Sequence, residues 1–313
     1  MRTRADANHS RTVHRFAGVT LVLALVVAGL VSHLRSDEPA AGASQPAKRA
    51  GPAGPCSESK LPDYTRDGRK KPTWSDEFTG DAVNQSRWTI RDQTTLSFDQ
   101  ARILARNVAV RDGHLVIEAR RESSKGRQYT TGYLDTIGRF SQRHGRWEIR
   151  ARLPVHESVS RGLWPAFWLR GDDAPGEIDV MEAWGTPADH PRTGPATYAW
   201  NIHEDTRGGL GRIHGWGTAA GNASMAKGFH VFAVDWSPRC IVFSLDGKRT
   251  GAVAMKDAPW LSQSLRGKFN IRLNLQVGSH FWGRADAKRP KLTRLPAGFV
   301  VDYVRVYGPR ADR

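Results

Sequence analysis

From about residue 73 onward the chain is divided into apolar runs too short for helices, punctuated by turn residues, and this restricts it to a β-fold. Asn107 to Val110 and Leu115 to Ala119 flank Arg111-Asp112-Gly113-His114, an Asp-Gly turn signal between two strand-like runs. Cys240 to Leu245, followed by Asp246-Gly247, has the same layout. Arg146 to Leu153 alternates polar and apolar residues strictly, which predicts a half-buried strand, and Phe299 to Tyr307 predicts a long closing one. No helical period is sustained over three turns after residue 36, and no internal repeat is evident. Many short strands joined by turns predict an all-β fold, a sandwich or a barrel, built as one domain over residues 73–309.

The first 36 residues have a different character. Arg2, Arg4, Arg11 and Arg15 precede an apolar run from Phe16 to Val31, the layout of a signal peptide or an uncleaved signal anchor. Residues 37–72 are rich in Ala, Gly, Pro, Ser and Lys without an apolar period, which predicts a flexible linker. The expected location is therefore secreted, or anchored and facing outside. A membrane partner is expected only if the leader stays attached. Export would also allow Cys56 and Cys240 to pair, although their spacing alone does not decide it.

The segment with the clearest chemistry is Gly176-Glu177-Ile178-Asp179-Val180-Met181-Glu182. In a strand, Glu177 and Asp179 share a face and Glu182 points the other way. One extra residue in a β-bulge would bring all three to the same face. Three adjacent carboxylates repel one another and raise at least one pKa. Glycoside hydrolysis has a use for that, since it needs one ionised and one protonated carboxyl. Solvated acids or a metal site are the alternatives, but the run is flanked by Trp164, Trp168 and Trp184. The net charge of +16 is spread along the chain, with no basic helix and no nucleic-acid-binding motif, so no nucleic acid partner is expected.

Trp164-Pro165-Ala166-Phe167-Trp168-Leu169 followed by Glu-Ile-Asp-Val-Met-Glu resembles glycoside hydrolase family 16, in its laminarinase-like branch with a bulged E-x-D-x-x-E strand. Trp74 to Phe78, Phe140 to Ala151, Phe229 to Trp236 and Val301 to Tyr307 extend the resemblance, in order, over nearly all of residues 73–309. The resemblance implies a jelly-roll sandwich of two antiparallel sheets with a concave substrate cleft. It implies a retaining endo-glycosidase acting by double displacement. Glu177 would be the nucleophile, Asp179 the assisting carboxylate and Glu182 the acid/base. Trp164, Trp168, His203 and Trp282 would bind substrate, with His203 near the acid/base. No cofactor is required for catalysis, but a structural calcium on Glu77, the Gly113 carbonyl and Asp302 is implied. Two departures bear on sugar specificity. Thr131-Gly132-Tyr133 replaces a segment that carries an Arg in many laminarinases, and the loop near Trp282 lacks Gly-Asn-Trp-Pro.

The expected substrate is a polysaccharide, first a β-1,3-glucan and second a β-galactan of agar or carrageenan type, acted on by a monomer. A wall-remodelling transglycosylase would use the same carboxylates. A non-catalytic carbohydrate-binding sandwich would have no reason to keep both Glu177 and Glu182.

Overall fold

The computed structural model describes residue 56 and residues 71–185, 194–205, 211–279 and 283–309. The leader, almost all of the linker and Trp282 lie outside the described residues.

The strands in chain order are β1 (Trp74–Asp76), β2 (Thr89–Ile90), β3 (Ala101–Ile103), β4 (Val108–Arg111), β5 (His114–Ala119), β6 (Tyr129–Thr131), β7 (Tyr133–Asp135), β8 (Gly145–Arg152) and β9 (Leu163–Gly171). They continue with β10 (Glu177–Glu182), β11 (Thr197–His203), β12 (Arg212–Thr218), β13 (His230–Trp236), β14 (Cys240–Leu245), β15 (Lys248–Ala254), β16 (Phe269–Val277) and β17 (Ala297–Tyr307). One sheet runs β15-β14-β13-β8-β17-β5-β4, with β1 added to β17, and the other runs β12-β11-β10-β9-β16-β7-β2. Every pairing within these two sheets is antiparallel. The two-sheet sandwich expected from the strand pattern is therefore the observed fold.

Local chemistry explains the tight connections. Asp112 and Gly113 have φ of 51° and 72°, and Asp246 and Gly247 have 49° and 74°. Both pairs adopt the doubly left-handed turn whose twist matches antiparallel strands, and glycine supplies its second position without strain. Between the sheets, inward residues of alternating parity form the core. Phe167, Phe232, Phe243, Phe269 and Phe299 are fully buried, and Trp147 stacks on Trp236 with ring centroids 5.7 Å apart. Truncating one such ring to alanine costs about 3–5 kcal/mol.

Two features lie on the outer side of the first sheet. The buried Arg146 bridges two buried acids, with Nε 2.8 Å from Glu148 Oε2 and Nη1 2.6 Å from Asp235 Oδ2. Cys56 and Cys240 form a disulfide with Cα atoms 5.6 Å apart. It packs with Val242 and Ala254 in a small cluster separate from the main core, and Arg249 donates a 2.8 Å bond to the Cys56 carbonyl. The linker is thus fastened to β14 at this residue.

Candidate active site

β10 lies in the second sheet between β9 and β11. Its inward residues, Ile178, Val180 and Met181, are completely buried. Two successive apolar residues face the core because the register shifts between Asp179 and Glu182, the bulge that the acid spacing predicted. Before the bulge, Glu177 lies opposite Arg170 and His203, and Asp179 opposite Trp168 and Asn201. After it, Glu182 lies opposite Ala166 and Ala199. Cross-strand neighbours share a face, so the three carboxylates form one row on the side away from the core.

Each carboxyl has distinct partners. Asp179 hydrogen-bonds Glu177, and its Oδ2 lies 3.1 Å from His203 Nε2. Glu182 accepts at both oxygens, from Trp164 Nε1 at 2.9 Å and from Asn201 Nδ2. The Asn201 amide is oriented by Arg212, whose Nε and Nη2 donate to its Oδ1 at 3.1 and 2.7 Å. Burial pushes all three acids above the ordinary carboxylate range, to about 8 for Glu177, about 7 for Asp179 and about 8 for Glu182. Asp179 raises both glutamates further, while His203, Arg170 and Arg272 favour the ionised form of Glu177. The same burial lowers the pKa of His203. Near neutrality the row therefore holds both protons and negative charge within one hydrogen-bonded group, as acid/base chemistry with a carboxylate nucleophile requires.

The aromatic residues divide. Trp164 and Trp168 both lie half-buried on the carboxylate face. Trp164 is tied to Glu182 and begins a wall that continues through Trp184 and Trp216, with centroid spacings of 6.0 and 5.5 Å. Trp168 donates to Asn274 Oδ1 at 2.8 Å, and the Arg272 guanidinium lies over its ring, 4.8 Å from the centroid. His203 contacts Asp179, lies opposite Glu177 and acts electrostatically on Glu182, whose ionised form it favours. Asn201 is the β11 side chain that bonds Glu182 directly. Asn201, Arg212, Arg272 and Trp216 were not foreseen. Only the register of β11, β12 and β16 against the carboxylate row would have pointed to them.

Among the described residues, one cluster has the donor set for a metal. Glu177, Asp179 and His203 bring one ligand atom each within 4.8 Å of one another. The residues expected to hold calcium lie elsewhere and are differently engaged. Glu77 forms a two-pronged pair with Arg305 at 3.0 and 2.7 Å, and Asp302 pairs with Arg150 at 2.6 Å. Gly113 occupies the left-handed turn after β4. As placed, both carboxylates are neutralised by guanidinium groups whose charge opposes a cation there.

Comparison with known proteins agrees with this geometry. The family model described as glycosyl hydrolases family 16 matches residues 83–289. A β-glucanase of Rhodothermus marinus is 34% identical over 75% of this chain and 84% of its own length. A glucan endo-1,3-β-glucosidase of Niallia circulans is 30% identical over 75% of this chain but only 37% of its own length. The solved endo-β-1,3-glucanase of Pyrococcus furiosus superimposes with a TM-score of 0.67 at 30% identity, covering 78% of this chain and 96% of that one. The bulged carboxylate strand, the sandwich that carries it and these matches lead to one assignment: the chain is a glycoside hydrolase and belongs to family 16.

Proposed function

We propose that the chain is a retaining endo-glycosidase that cleaves β-1,3-glucan, with Glu177 as nucleophile, Glu182 as acid/base and Asp179 assisting. The observation that carries this reading is the bulged row, in which Glu177 and Glu182 share one face of the sheet on either side of Asp179. Protonated Glu182 gives its proton to the glycosidic oxygen as the C1–O bond breaks, while ionised Glu177 attacks C1 and forms a glycosyl ester. Glu182, now a carboxylate, then takes a proton from water, and the resulting hydroxide equivalent displaces Glu177. Asp179 assists through its hydrogen bond to Glu177, which couples the protonation of the two carboxyls and holds the nucleophile in place. Trp164 and Asn201 hold Glu182 in place and stabilise its ionised form between the two steps.

The names of the relatives favour β-1,3-glucan over a galactan as the polymer. We place the activity outside the cell, on the strength of the basic and apolar leader. The test is reducing-sugar release from laminarin, lichenan, agarose and carrageenan by the wild type and by Glu177→Gln. Release from laminarin, abolished by the substitution, is the expected result. Release from agarose or carrageenan alone would replace the substrate. No release from any polymer by folded protein would remove the hydrolase reading.

A further inference from the structure

We propose that Arg272, carried over the face of Trp168, forms a cationic subsite that binds a sugar unit bearing a carboxylate or sulfate group. The inference deepens the glucanase reading and rests on it for the polymer backbone.

The position follows from strand register. Asp179 pairs with Trp168, Trp168 with Arg272 and Arg272 with Asp135, so these residues form one rung across the cleft face. Arg272 is thus two strands from the carboxylate row, about 10 Å away at the usual strand spacing and within reach of the next sugar units of a bound chain. It is half-buried in a strand whose other residues are all buried.

The partners of Arg272 are neutral. Nε donates to Asn270 Oδ1 at 3.0 Å, the side chain also bonds Tyr133, and the cation rests on the Trp168 ring. Among the described residues, no carboxylate lies within ion-pair distance of it. Asp135, its neighbour on the rung, pairs instead with Arg91 at 2.6 Å and caps the Ile137 amide. Arg170, on the rung of Glu177, adds a third guanidinium to this flank. Arg91, the remaining guanidinium of this flank, is paired with Asp135, which leaves Arg272 as the cation stacked on the ring.

A half-buried guanidinium stacked on an aromatic ring keeps the planar N–H fork that binds an oxyanion with two parallel hydrogen bonds. Arg272 also covers one face of the Trp168 ring, so on that side the ligand is met by charge and hydrogen bonding instead of by stacking. A neutral glucan offers only hydroxyls. A carboxylated or sulfated unit would supply an anion in direct contact with the fork.

The test measures binding to laminarin, carboxymethyl-laminarin and sulfated laminarin in the inactive Glu177→Gln background. The expected result is about tenfold tighter binding of at least one anionic derivative than of laminarin, in line with charge-assisted bonds. That preference should shrink with added salt, disappear in Arg272→Gln and persist in part in Arg272→Lys. Arg239→Gln is the control, since it removes an equal charge from an exposed turn of the other sheet. The carboxymethyl and sulfated arms identify which anion the fork accepts. Equal affinity for neutral and anionic polymers would overturn the proposal, as would equal loss in Arg272→Gln and Arg239→Gln. Failure of the wild type to cleave laminarin, with Arg272-dependent binding of carrageenan, would instead overturn the glucan reading and leave the subsite standing.

Discussion

Each sheet of the sandwich buries acidic side chains on the face turned away from the core, and each deals with the charge differently. On β8 and β13, Glu148 and Asp235 are separated by Arg146, which bonds both within 2.8 Å. On β10, Glu177, Asp179 and Glu182 face one another without a guanidinium between them. Arg170 and Arg272 act on Glu177 as neighbouring charges, and Arg212 reaches Glu182 through Asn201. The first arrangement keeps its charges paired and has nothing to exchange with a substrate. The second leaves the cost of burial in place, and that cost appears as raised pKa values. Carboxylates prepared for proton transfer are those whose counter-ions are held at a distance.

The largest effects should come from cutting one acid out of each group. Glu177→Gln should lower kcat at least about 10³-fold. It should also stabilise the fold at pH 7, by on the order of 1 kcal/mol and with a higher Tm, because it removes the cost of burying that carboxyl beside two others. Glu148→Ala should do the reverse. Thermal melts should show a loss of about 3 kcal/mol as the buried Arg146 is left with Asp235 alone, with kcat of the folded fraction maintained. If both variants lost stability alike, the contrast between the sheets would fail.

Titration should separate the wild type from Glu177→Gln. The folded carboxyls hold their protons up to about 8, whereas an unfolded glutamate releases its proton near 4.5. Within that window the folded state binds more protons, so wild-type stability should fall as pH rises from about 4.5 to about 8. The slope should be shallower in Glu177→Gln. An unchanged slope would mean that Glu177 titrates normally.

A smaller effect is expected at the relay. Arg212→Gln releases the Asn201 amide and weakens a donor to Glu182, favouring its protonated form. The alkaline limb of the kcat profile should move up by about half a pH unit, with KM little changed. A uniform fall in kcat at every pH would mark Arg212 as structural only.

Chelation should have the smallest effect. With Arg305 on Glu77 and Arg150 on Asp302, EDTA should move Tm by less than about 1 °C. A drop of several degrees would restore the calcium expected from the family resemblance.

Much of the frame was legible in the sequence because it rests on local signals. Asp112-Gly113 and Asp246-Gly247 turn the chain where their dipeptides predict. The strict alternation of Arg146 to Leu153 is matched by the antiparallel pairing of β8. The bulge on β10 followed from parity, since three acids at i, i+2 and i+5 share a face only if one residue is extra. What remained hidden depends on strand order and register. Nothing near Asn201 or Arg212 in the chain indicates that β11 and β12 will carry them onto Glu182. Likewise, Arg272 lies beside Trp168 only because β16 pairs with β9.

The Cys56–Cys240 bond changes what a cut in the linker can accomplish. A protease acting between Cys56 and Thr73 would nick the chain, yet the sandwich would remain covalently joined to Cys56 and the residues before it through sulfur. Separating the two would require cleavage upstream of Cys56, or a nick followed by a reductant. The covalent attachment of the N-terminal segment therefore begins at Cys240 on β14, and the integrity of the chain between Cys56 and β1 no longer decides it.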